Sequence, residues 1–119
     1  MNARLSILLV NNDPIIEAEL INHLQNWQCE VYAVYDNMLD AILAIPKGHK
    51  WPDFLLVELP LVQQRKYLSL IRIFQFLYPI SVIIMSSSHP EEWGQWIPKQ
   101  THRVLPMPFS EIQLLKLLK

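Results

Sequence analysis

The sequence predicts a single α/β domain built on a doubly wound, five-stranded parallel sheet. Three observations predict it. Five short apolar runs alternate with segments of helical periodicity along 119 residues, and such alternation yields a parallel sheet with helices on both faces because its crossovers are right-handed. Most of the runs are continuous rather than alternating, the pattern of strands buried on both sides. No linker or internal repeat interrupts the series, so residues 1–119 are expected to form one domain.

Leu5-Ser6-Ile7-Leu8-Leu9-Val10 reads as a buried strand ending at Asn11-Asn12-Asp13. Asp13-Pro14 then supplies an N-cap and a proline at the first helical position. Ile16, Leu20, His23/Leu24 and Trp27 recur at helical spacing through Gln28. Glu30 to Tyr35 is the second strand, and Asn37 to Ile45 a short amphipathic helix closed by Pro46-Lys47-Gly48. The third strand, Asp53 to Glu58, holds four apolar residues, then a single carboxylate, and is followed by Leu59-Pro60.

Gln63 to Tyr78 reads as a long helix ended by Pro79. Residues placed at 100° intervals put Tyr67, Leu70, Ile71, Phe74, Leu77 and Tyr78 on its sheet side, with Arg65, Ser69, Arg72 and Phe76 outward, flanked by Leu68 and Ile73. Ile80 to Met85 is the fourth strand, stopping at Ser86-Ser87-Ser88. A fourth helix over Glu91 to Lys99 is expected to be short or irregular. It holds Gly94 and Pro98, and an interior proline costs about 3 kcal/mol. Arg103-Val104-Leu105 is a brief fifth strand, and Ser110 caps a last helix, Glu111 to Lys119, with Leu114, Leu115 and Leu118 inward.

The expected strand order is the flavodoxin-like 2-1-3-4-5, in which the C-terminal ends of strands one and three meet at the topological switch point. Asn11, Asn12 and Glu58 should therefore converge, with Ser86 and Met107 around the same crevice.

Composition narrows the function classes. Just over half the residues are hydrophobic and 18% are charged, too apolar for disorder, yet no run reaches membrane-spanning length. Met1-Asn2-Ala3-Arg4 leads directly into the first strand without a signal-peptide core, so a cytoplasmic protein away from membranes is expected. A net charge of −1 argues against direct nucleic-acid binding, which needs a concentrated basic surface. Cys29 is alone and reads as a small hydrophobe. His23, His49, His89 and His102 show no ligand spacing, and neither a metal nor a cofactor is expected. Ser86-Ser87-Ser88-His89 lacks an acid or an elbow motif, so no enzyme activity is expected either.

Ile7-Leu8-Leu9-Val10 before a polar pair, Pro52-Asp53 before the third strand, Ile83-Ile84-Met85-Ser86 on the fourth and Pro106-Met107-Pro108-Phe109 near the end together resemble a CheY-like response-regulator receiver domain over essentially the whole chain. The resemblance implies an acidic pair that holds Mg²⁺, a phosphorylated Asp ending strand three, a Ser/Thr ending strand four and a Lys near the end. Those positions fall on Asn11 and Asn12, Glu58, Ser86 and Met107, and only Ser86 keeps its type. The aromatic switch position falls on Val104, the usual glycine of the third helix on Lys66, and the metal-contacting carbonyl on Pro60.

The departures imply a degenerate pseudo-receiver that signals through protein contacts. Glu58 is then either a standing negative charge where an aspartyl phosphate would sit, or a strand-end carboxylate solvated or bonded to Asn11, Asn12 or Ser86. Two alternatives remain open from the residues: a phospho-acceptor using Glu58 or Asp13, and a small-ligand binder in the crevice. The expected partner is a protein, whether output domain, kinase or other regulator, with a homodimer as a further possibility. Candidate surfaces are Arg65, Leu68, Arg72 and Phe76 on the third helix, and Trp93 with Trp96, which serve either a partner or the core.

Overall fold

The computed structural model describes residues 4–48, 50–60, 63–87 and 103–118. Its strands are β1 (Ser6–Val10), β2 (Glu30–Tyr35), β3 (Phe54–Glu58), β4 (Ser81–Ser86) and β5 (Arg103–Pro106). They form one parallel sheet in the expected order, β2-β1-β3-β4-β5. Its helices are α1 (Pro14–Asn26), α2 (Met38–Ala44), α3 (Gln64–Leu77) and α4 (Glu111–Leu118). The helix expected over Glu91 to Lys99, with Trp93 and Trp96, lies outside the described residues.

Each central strand feeds two cores, which is why it needs no polar alternation. Leu8 and Val10 of β1, with Leu55 and Val57 of β3, pack under α2 and α3 against Met38, Ala41, Ile71 and Phe74. Ile7 and Leu9, with Leu56, turn the opposite way against Leu20 and Leu24 of α1 and Leu114 and Leu118 of α4. All of these side chains are buried, and each of them except Ala41 stabilises the fold by roughly 1.5–3 kcal/mol relative to exposure.

The helix starts follow from local chemistry. The Asp13 carboxylate accepts the Ile15 N–H at 3.0 Å ahead of Pro14. Asn37 accepts the Asp40 N–H at 2.9 Å. Ser110 and Gln113 cap each other reciprocally: the Ser110 hydroxyl accepts the Gln113 N–H at 3.2 Å and the Gln113 amide oxygen accepts the Ser110 N–H at 2.8 Å. A proline explains the end of α2. Pro46 has no N–H to give the Ile42 carbonyl four residues back, the helix gives way to a 3₁₀ turn over Ile45–Lys47, and the Tyr78 hydroxyl donates to that carbonyl at 2.8 Å instead.

On α3 the structure corrects the helical wheel. Leu68 is fully buried and belongs to the core, not to an interaction surface, whereas Leu77, expected inside, is 48% exposed. The buried stripe runs through Leu68, Ile71 and Phe74, with Tyr67 and Leu70 at its edge. A tyrosine carries a polar tip that seeks the rim, so Tyr67 sits beside the crevice at the sheet's C-terminal edge and Leu68 turns beneath the helix.

Candidate functional site

The C-terminal ends of β1 and β3 meet as the strand order requires. Backbone bonds run the ladder past each strand end, from Asn11 N–H to the Tyr35 carbonyl at 3.0 Å and from Leu59 N–H to the Met85 carbonyl at 2.8 Å. Asn11, Asn12 and Glu58 line one crevice with Val10 and Pro60, and two further residues, Asp36 and Tyr67, complete it. Its accessible volume is about 20 Å³, room for a single water-sized group.

Asn11 is 2% exposed. Its side-chain oxygen accepts the Asp13 N–H at 2.5 Å, and its amino group has no acceptor among the described residues. Asn12 is exposed. Burial, and after it the negative charge of Asp13, pushes the half-buried Glu58 carboxyl above its ordinary range. Burial, then Asp36, then Glu58 push the Tyr67 hydroxyl up as well. Asp36 and Glu58 make the lining acidic, with no lysine or arginine among its described residues, and no group of three or more His, Cys, Asp or Glu among the described residues could hold a metal ion.

Two expected members stand outside the crevice. Ser86 is buried, and its carbonyl accepts the Met107 N–H at 2.8 Å. Met107, half-buried, packs into the core on the α1 and α4 side. A thioether has no charge to keep in solvent, so it follows the apolar surface instead of reaching to the carboxylates. The Met107–Pro108 peptide is cis. Val104 is half-buried against the core on the α2 and α3 side. Asp36 escaped the sequence reading, although the signal was there: it follows β2 directly, and β2 neighbours β1, so its carboxylate had to reach the edge that Asn11 occupies.

Comparison with known proteins finds no matching family model and no matching curated protein. Solved structures match well. The receiver domain of the PhyR response regulator from Erythrobacter litoralis superposes with a TM-score of 0.78 at 15% identity, covering 97% of this chain and 87% of that one. A response regulator receiver protein from Sinorhizobium medicae gives 0.76 at 21% identity, covering 95% and 90%. The receiver domain of a modulated diguanylate cyclase from Desulfovibrio desulfuricans gives 0.75 at 19% identity, covering 98% and 91%. Strand order, helix placement and these superpositions agree: the chain has the fold of response-regulator receiver domains.

Proposed function

We propose that this chain is a regulatory, receiver-type signalling module that works without divalent cation or phosphoryl transfer. Its crevice holds standing negative charge, and its output passes through contacts with another protein: an output domain, a kinase or a further regulator. The observation that carries this reading is the Asn11 amide. A hard divalent cation wants charged oxygen ligands in near-octahedral array, but the buried ligand position offers a neutral amide whose oxygen already accepts the Asp13 N–H and whose amino group, a donor that repels a cation, is the unpartnered atom among the described residues. Rotating the amide would set that donor against the Asp13 N–H. The residues present do not fit Mg²⁺.

The rest of the lining supports the same reading. Phosphoryl transfer depends on positioning and charge neutralisation, and Met107 brings no cation. Glu58 carries its carboxylate one methylene further out than an aspartate would, and a displacement of about 1 Å can cost on the order of 100-fold. Asp13 is engaged as an N-cap. A crevice of about 20 Å³ also gives a nucleotide-sized ligand no seat.

Acetyl phosphate in millimolar Mg²⁺ is expected to leave the intact mass unchanged, and Mn²⁺ to leave the crevice amides unbroadened in NMR spectra. Asn11→Asp turns an acceptor into the crevice and should gain Mn²⁺ affinity. Asn12→Asp adds the same charge at an exposed position and should gain much less. A phosphoryl group found on Glu58 or Asp13 would overturn the proposal and establish an atypical phospho-acceptor.

A further inference from the structure

The outward face of α3 divides into two chemically distinct halves. Arg65, Lys66 and Arg72 are exposed, and the 14-residue helix contains no aspartate or glutamate at all, although the whole chain carries eleven acids against ten lysines and arginines. Lys66 and Arg72 are held in no ion pair among the described residues. Beyond Arg72 the same face turns apolar, with Ile73 46%, Leu77 48% and Phe76 88% exposed. At the foot of the helix lies an open depression of about 430 Å³ between Gln75, Tyr78, Pro79, Ile80 and Ser81. The half-exposed Trp51 closes edge-on against Tyr78, ring centres 5.3 Å apart.

An outward phenylalanine costs nothing by itself, since single exposed hydrophobes are common on protein surfaces. Here three lie on one stripe, continuous with the exposed cations Lys66 and Arg72 on a helix of about 21 Å. Aromatic and arginine side chains together mark the anchoring residues of interfaces. We propose that this face docks an acidic, amphipathic segment of a partner protein, its carboxylates against Arg65, Lys66 and Arg72 and its apolar side chains against Ile73, Phe76 and Leu77. This rests on the reading that the module works through protein contacts. Charge chooses among occupants: a second copy docking by the same face would bring no carboxylate to these cations, since α3 carries none, and a phosphate backbone would meet the apolar half with nothing to neutralise it.

Titration of the ¹⁵N-labelled chain tests this with three probes: a helical peptide with glutamates and leucines on one face, the same peptide with lysine for each glutamate, and a single-stranded oligonucleotide. The glutamate peptide is expected to shift the amides of residues 65–77. Arg72→Glu, Ser69→Glu and Phe76→Asp, all at exposed positions, should each weaken it on the order of tenfold. The lysine peptide should bind Arg72→Glu better than wild type. Shifts confined to other elements, equal response to both peptides, or an oligonucleotide that alone perturbs α3 would overturn the docking face. Mn²⁺ binding by wild type would instead overturn the cation-independent reading and leave this result standing.

Discussion

At the residue scale, Glu58 and Asn11 define the crevice between them. Glu58 loses hydration at the strand end and faces Asp13, so its folded-state pKa is raised. Below the ordinary carboxylate range it is protonated both folded and unfolded, and its ionisation has no influence on stability. As pH rises past that range the unfolded chain ionises first, so folding is progressively destabilised until the folded-state pKa is passed, after which the penalty is constant. Glu58→Gln should therefore melt higher than wild type at pH 7, by about 1–3 °C, and at the same temperature near pH 4. A wild type that melts higher at neutral pH would show that Glu58 is held by favourable bonds instead. The donor orientation of Asn11 was illegible in sequence because it depends on one backbone N–H, that of Asp13, two residues on.

Single bonds join whole elements here. The α2 end and the α3 end are tied by the Tyr78 hydroxyl on the Ile42 carbonyl, at 2.8 Å and buried. Edge contacts from Phe74 and Trp51, ring centres 5.2 and 5.3 Å away, hold the Tyr78 ring in place. Tyr78→Phe leaves the carbonyl buried without a donor, and a group stranded in this way costs about 1–3 kcal/mol. Urea denaturation should show that loss as a lower midpoint with an unchanged slope; a midpoint equal to wild type would mean that another donor reaches the carbonyl. On the opposite face the Trp27 indole N–H donates to Glu111 at 2.7 Å, and the Arg103 guanidinium to the Leu117 carbonyl, fastening α1 and β5 to α4. The cap residues Asp13, Asn37 and Ser110 were readable because capping is local. The inward stripe of α3 was not, because Tyr67 and Leu68 compete for the sheet and only the rim decides between them.

Across the whole molecule, stability should be graded from the centre of the sheet outward. β1 and β3 pair on both edges and lie between two cores, whereas β5, at one edge, spans four residues with two ends exposed. Hydrogen exchange should find the amides of Leu8 to Val10 and Leu55 to Val57 slowest, opening only with global unfolding, and those of β5 faster. Equal protection across the sheet would contradict this. No helix among the described residues is long and apolar enough to cross a membrane.

The sequence by itself determined the architecture. Continuous apolar runs, prolines and cap residues act over a few neighbours, and right-handed crossovers leave little choice once five strands alternate with helices. Convergence of Asn11, Asn12 and Glu58 followed from strand order alone. The tertiary structure decided which side chains reach that crevice and how. It sent Met107 and Ser86 into packed surroundings, brought in Asp36 and Tyr67, buried Leu68 and left Phe76 in solvent. Each of those outcomes depends on contacts between elements distant in sequence, where the volume and polarity of the neighbour settle what periodicity leaves open.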